Sequence, residues 1–197
     1  MKTPFVVALI TVFALIGPLS VSAQTPAADG GTLGFYRFPA LHDDPLVFAT
    51  ERDLWRVSAS GGVAYRLTTH AAEERSPVIS PDGRTLAFAA QYEGPTEVYT
   101  MPVEGGTPTR WTYESTPSIP STWTNDGRLV YESQQYSTLP HFQLVTLDPQ
   151  QNSRERVPLA TATSASYDES ESDLYFVRPA FHNNVTNRYV GGTARDV

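Results

Sequence analysis

One interval, 44 residues, organises this chain. Trp55 to Tyr99, Gly61 to Gly105, Thr68 to Thr112 and Gly83 to Gly127 are each separated by it. The segments between those markers also recur in the same order. Leu46-Val-Phe-Ala-Thr50, Asp53-Leu-Trp-Arg-Val57, the turn Ser60-Gly-Gly62 and Ala64-Tyr-Arg-Leu-Thr68 are followed by Thr85-Leu-Ala-Phe-Ala-Ala90, Glu97-Val-Tyr-Thr-Met101, Glu104-Gly-Gly106 and Pro108-Thr-Arg-Trp-Thr112. A third, looser copy runs through Leu129–Ser133, His141–Leu147 and Glu155–Leu159 with a longer middle loop, and a fourth starts at Thr163-Ser-Ala-Ser-Tyr167. A fixed period of this size marks an array of identical units, none of which buries its apolar face alone.

The units are built of strands. Their apolar residues alternate or cluster in runs of roughly five, rich in Val, Leu, Phe, Tyr and Thr, and turn residues interrupt them at roughly ten-residue intervals. In Ser80-Pro-Asp-Gly83 the proline presets φ, the aspartate bonds its own backbone and the glycine takes a left-handed conformation, which predicts a tight hairpin between the first and second strands. Gly61-Gly62 and Gly105-Gly106 predict the same between the third and fourth. Four short strands per period predict an all-β protein, a β-propeller of four-stranded blades over about 39–68, 74–112, 118–159 and 161–197, with about three and a half blades present and the ring incomplete.

Residues 1–23 have the form of a secretory signal, with Lys2, the apolar stretch Phe5–Ile16, Gly17-Pro18 and small residues at Val21 and Ala23. Cleavage is expected after Ala23, with a flexible leader over 24–33 and the partial propeller over 34–197. The apolar stretch is shorter than the roughly 20 residues a membrane span needs, so no stable span is expected after processing. Lys2 is the only lysine, and the 13 arginines left after cleavage face 21 acidic residues, a balance of −8. That charge argues against nucleic acid as a partner. The chain has no cysteine, so disulfides and thiolate metal sites are excluded and packing alone must hold an exported fold together.

On Gly34-Phe-Tyr-Arg-Phe-Pro-Ala40, Asp53-Leu-Trp-Arg-Val57, Ser80-Pro-Asp-Gly-Arg84, Pro102-Val-Glu-Gly-Gly106 and Asn187-Arg-Tyr-Val-Gly-Gly-Thr-Ala194, the chain resembles the amino-terminal propeller of bacterial tricorn-type proteases. The resemblance implies a periplasmic or secreted serine peptidase in which the propeller guides or sieves peptides while other domains hold the catalytic serine, histidine and oxyanion hole. It implies that this sequence, with fewer blades than the family's propeller, ends before those domains, and that its partners are peptides and the remaining domains of a larger peptidase. The Ser-Pro-Asp-Gly turn is also found in Tol-type propellers. A stand-alone protein-binding scaffold of the cell envelope is therefore the second reading.

No catalytic, cofactor-binding or metal residues are assigned from the sequence, and no cofactor is expected. His42, His70, His141 and His182 lack zinc-ligand spacing, no Gly-x-Ser-x-Gly elbow is present, and Gly191-Gly192 has no strand-to-helix context for phosphate. Asn184-Val-Thr186 is read as a chance match to a glycosylation acceptor. Among the acidic groups Asp43-Asp44, Glu73-Glu74 and Asp168–Asp173, the last is the best calcium candidate, yet it lacks the glycine of a calcium loop and reads as a polar turn. Trp55, Tyr99, Trp111, Trp123 and Tyr131 are expected between blades. Phe35, Tyr36 and Phe38 with Arg37 are expected to dock on the propeller. Unpaired strand edges of a partial ring predict self-association.

Overall fold

A computed structural model describes residues 34–139 and 141–178. The expected signal and leader, His182, Asn184 and Gly191-Gly192 lie outside those residues. Among them the regular elements are all strands. Blade 1 comprises β1 (Arg37–Leu41), β2 (Pro45–Thr50), β3 (Asp53–Ser58) and β4 (Tyr65–Arg66); blade 2 comprises β5 (Glu74–Ile79), β6 (Thr85–Ala90), β7 (Glu97–Pro102) and β8 (Thr109–Arg110). Blade 3 comprises β9 (Ser118–Trp123), β10 (Leu129–Ser133), β11 (Gln143–Asp148) and β12 (Ser153–Arg156), and a two-stranded sheet follows, β13 (Thr163–Tyr167) with β14 (Leu174–Val177). Each sheet is an antiparallel meander in chain order.

The sheets are radial. The first strands touch from sheet to sheet, β1 on β5, β5 on β9 and β9 on β13, whereas the last strands β4, β8 and β12 lie against their own β3, β7 and β11. The result is an open propeller arc whose inner wall is made of first strands.

Strand alternation supplies the adhesive, because successive side chains point to opposite faces of a sheet. In β6, Leu86, Phe88 and Ala90 join Val47, Ala49 and Leu54 of blade 1 in one buried cluster with Tyr99 and Met101. Ala87, on the other face, joins Val98 with Trp123, Leu129, Tyr131, Val145 and Leu147 of blade 3. Val130 and Leu144 turn the opposite way and bury against Ala165 of β13 and Ala162 just before it. Each fully buried Leu, Val or Phe contributes about 1.5–3 kcal/mol, so the stability of the arc resides between blades.

Backbone bonds repeat with the blades. Glu74 N donates to Arg52 O at 2.9 Å, Ser118 N to Thr96 O at 2.8 Å and Ala162 N to Phe142 O at 3.0 Å, each joining the entry of one blade to the loop before the third strand of the blade preceding it. The Ser80–Gly83 hairpin forms with Gly83 at φ 70°. In it Asp82 Oδ1 accepts Ser80 Oγ at 2.6 Å and Arg84 N at 3.1 Å. Gly127 takes φ 83° in the matching turn of blade 3.

The first strands carry an irregularity that the sequence does not announce. Pairing slips between Arg37 and Ala40 in β1, between Arg75 and Val78 in β5, and between Thr163 and Ser166 in β13. At each slip a residue other than glycine has a left-handed backbone, Phe38 at φ 52°, Ser76 at 52° and Ser164 at 50°. Such bulges kink a strand and raise its twist, which suits a strand converging on an axis. In β9 the equivalent residue is Pro120, whose ring forbids positive φ, and the slip falls at Ser121 instead. Its hydroxyl donates to Ala165 O at 3.1 Å and accepts Ala165 N at 2.5 Å, tying the third sheet to the fourth.

Candidate functional site

The sequence singles out aromatic and acidic residues, and the structure sorts them by position. Tyr99, Trp123 and Tyr131 lie in the clusters between blades as expected. Trp111 lies just beyond β8, half-buried, with Nε1 donating to Thr100 Oγ1 at 2.7 Å. Trp55 departs from the expectation, since it is half-buried and belongs to no inter-blade cluster. The aromatics ahead of blade 1 also differ. Arg37–Leu41 is itself the first strand, Phe35 and Tyr36 stay 76% and 64% exposed, and the contact with the sheet is Tyr36 edge-on to Phe48 at 5.3 Å. Both departures have one reason: among the described residues no sheet packs on that side of blade 1.

The three described histidines are dispersed. His42 lies in the β1–β2 turn against Gly83, His70 in the loop before β5 and His141 in the loop before β11. Among the described residues no group of three or more His, Asp or Glu side chains has metal-binding geometry. In the Asp168–Asp173 turn the Asp168 carboxylate accepts Asp173 N at 2.8 Å, Ser172 Oγ at 3.0 Å and Ser170 Oγ. These donors, Ser170 first, lower its pKa to about 2. Glu171 accepts Asn125 N, so the turn leans on the hairpin of blade 3. A shallow polar depression there, between Asp126, Arg128, Asp148 and Glu155, is likewise occupied by local bonds. Arg128 Nε holds Asp126 at 2.8 Å and Asp148 accepts Gln150 N at 2.8 Å.

The densest chemistry lies at the opposite end, where each blade enters from the one before. Glu73 and Glu74, adjacent in sequence, separate completely. Glu73 is on the surface with Arg37 at 3.1 Å, whereas Glu74 is fully buried. Its Oε1 accepts Tyr92 OH at 2.6 Å, and its Oε2 accepts Leu54 N at 3.3 Å and the Thr68 hydroxyl from blade 1. Burial pushes the Glu74 carboxyl above the ordinary glutamate value, against the pull of the Thr68 and Tyr92 bonds, and the nearby Asp53 carboxylate adds to the rise. Burial beside Glu74 also raises the Tyr92 phenol.

Blade 2 repeats the arrangement with altered residues. Thr112 Oγ1 accepts Val98 N at 2.8 Å as Thr68 Oγ1 accepts Leu54 N at 2.9 Å. Thr112 donates to Glu97, whose other oxygen takes Arg110 at 3.2 Å. Burial raises the Glu97 carboxyl, opposed by Thr112 and Arg110. Glu114 then joins blades 2 and 3, accepting Tyr131 OH at 2.9 Å, Ser118 Oγ at 2.8 Å and the Ser133 hydroxyl. In blade 3 the acid gives way to Gln143, whose amide reaches Ala160 O at 3.4 Å. Glu74 and Glu114, buried among their own donors, act as struts at the blade junctions, whereas Glu97 is held within blade 2.

Radial four-stranded sheets fit the family comparison. The family described as the tricorn protease N-terminal beta propeller domain matches residues 33–197. The chain belongs to this propeller family. Tricorn protease homolog 1 of Streptomyces coelicolor is 36% identical over 97 residues, which is 49% of this chain and 9% of that protein. The chain thus spans under a tenth of that relative. Among solved structures, the tricorn protease matches 83% of this chain and 17% of its own with a TM-score of 0.69 at 19% identity. TolB from Acinetobacter baumannii matches 76% of this chain and 39% of its own at 0.63 and 20%. These two likenesses show the shared propeller fold. Among the described residues no helix is long and apolar enough to cross a membrane.

Proposed function

We propose that this tricorn-family propeller is the non-catalytic module of an exported serine peptidase, admitting extended peptides toward catalytic domains that this sequence does not contain. The observation that carries the reading is the family match across 33–197 on a wall of converging first strands. The signal-like residues 1–23 support export to the periplasm or beyond. A propeller serves many purposes, so the role needs its own test. Fluorescence anisotropy with labelled unstructured peptides should show saturable binding and no cleavage by the chain alone. Hydrolysis by the purified chain, or indifference to every peptide, overturns it.

The TolB likeness favours a second reading, a scaffold for folded envelope proteins. Capture of a folded partner that unlabelled peptide does not displace is the result that selects it.

A further inference from the structure

The hairpin that joins β3 to β4 and the turn that joins β1 to β2 enclose an open cleft of about 250 Å³, lined by Asp44, Arg56, Ser58, Gly61, Val63 and Tyr65. Strand register sets its walls. Val47, Ala49 and Leu54 fill the junction with blade 2, and Arg56 pairs with Val47 on one side and Tyr65 on the other, so Arg56 and Tyr65 lie on the side of the sheet that faces blade 2. Arg56 reaches across that junction to Glu104, Nη1 to Oε2 at 2.9 Å. The blade itself does not call for these side chains. At the positions 44 residues on, Arg56, Ser58, Val63 and Tyr65 give way to Thr100, Pro102, Thr107 and Thr109, and blade 2 forms the same strands without them.

The lining carries a group for each end of a zwitterion. Asp44 Oδ1 accepts Ser58 Oγ at 2.7 Å, and Ser58 Oγ in turn meets Ser60 Oγ at 2.7 Å, which fixes the carboxylate in place. A carboxylate so held keeps acceptor sites for an ammonium group. Arg56 Nε is buried without a hydrogen-bond partner, so Glu104 does not exhaust the five donors of the guanidinium. Val63 and Tyr65, 73% and 66% exposed, add apolar surface. The volume lies below the roughly 300–1,000 Å³ of sites for drug-sized ligands, which suits one residue rather than a peptide. We propose that this cleft binds a single free α-amino acid with an apolar side chain, its ammonium on Asp44, its carboxylate on Arg56 and its side chain against Val63 and Tyr65.

The test is an amide NMR titration of the full chain with L-phenylalanine. Saturable shifts should be confined to residue 44 and residues 56–65. N-acetyl-L-phenylalanine lacks the ammonium and L-phenylalaninamide lacks the carboxylate, and each should bind at least about tenfold more weakly, the loss of one charge-assisted contact. Asp44→Asn should weaken L-phenylalanine by about the same factor and leave N-acetyl-L-phenylalanine unchanged, a coupling that general distortion of the cleft does not produce. Absence of saturable shifts, shifts centred elsewhere, analogues that bind as well as the amino acid, or tighter binding of phenylalanyl-phenylalanine overturns the site. Should Asp44→Asn not fold, the two analogues decide on wild type alone, since each removes one charge from the ligand and none from the protein.

Discussion

Removing the Glu74 carboxylate tests whether inter-blade struts hold this propeller together. In Glu74→Ala the Thr68 hydroxyl loses its acceptor, while Tyr92 OH loses one at 2.6 Å. Leu54 N keeps Thr68 Oγ1 at 2.9 Å, so its loss is small. A buried donor left without a partner costs about 1–3 kcal/mol, and relief of a desolvated charge offsets part of that. The net expectation is about 2–4 kcal/mol, a large share of the roughly 5–15 kcal/mol that holds a domain together. For a chain of this size each kcal/mol shifts Tm by about 2–4 °C, so the melt should fall by about 4–16 °C. Glu74→Gln keeps an oxygen for Tyr92 and should cost about 0–1.5 kcal/mol.

The pH dependence has a definite sign. The folded carboxyl is held above its ordinary value by burial, so the native state binds the proton more tightly than the unfolded chain. The contribution is complete below the unfolded pKa and is lost as pH rises through the folded one. The deficit of Glu74→Gln against wild type should therefore shrink from acid toward neutral pH. Urea denaturation followed by circular dichroism reads both effects. A cost below about 1 kcal/mol for Glu74→Ala, or a Gln deficit that widens with pH, refutes the strut.

Three further outcomes are expected. Gly83→Ala combines a left-handed backbone at φ 70° with a Cβ 3.0 Å from His42 Cδ2, whereas Gly127 at φ 83° has open space, so Gly83→Ala should cost more than the about 1 kcal/mol of Gly127→Ala, and His42→Ala should remove the excess in thermal melts. Ser121→Ala deletes both bonds to Ala165 and should cost about 1–3 kcal/mol, with faster amide exchange over 163–167 and little change in blade 1. Millimolar calcium should leave the melt unchanged, because the Asp168 oxygens already hold Ser170, Ser172 and Asp173; a rise abolished by Asp168→Asn disproves this.

Strand periodicity and turn glycines were readable because they act locally. Leu86-Ala-Phe-Ala-Ala90 alternates faces, and Gly83 needs only its own φ. Glu74 was opaque for the converse reason. Its partners Leu54 and Thr68 belong to another blade and one of them is a backbone amide, so nothing nearby in sequence separates it from the half-buried Glu73. A signal did exist for the acids within blades: Arg66-Leu-Thr68 and Arg110-Trp-Thr112 stand 44 residues apart with an acid opening each preceding third strand, Asp53 and Glu97, whereas the position 44 residues after Glu74 is Ser118. The bulges were hidden because Phe38, Ser76 and Ser164 are not residues that favour positive φ. Convergence of the first strands forces the twist on them. Trp55 reads as an inter-blade aromatic from its repeat position and Phe35 as docked on the propeller, yet burial depends on whether a sheet lies opposite, which the repeat pattern alone does not state.

The amide of Glu74, and those of Ser118 and Ala162 after it, each find their acceptor in chain already synthesised. As the polypeptide leaves the ribosome, every carbonyl that will receive an incoming sheet is in place before that sheet exists. Growth of the structure can follow translation one sheet at a time, each completed unit serving as the mould for its successor.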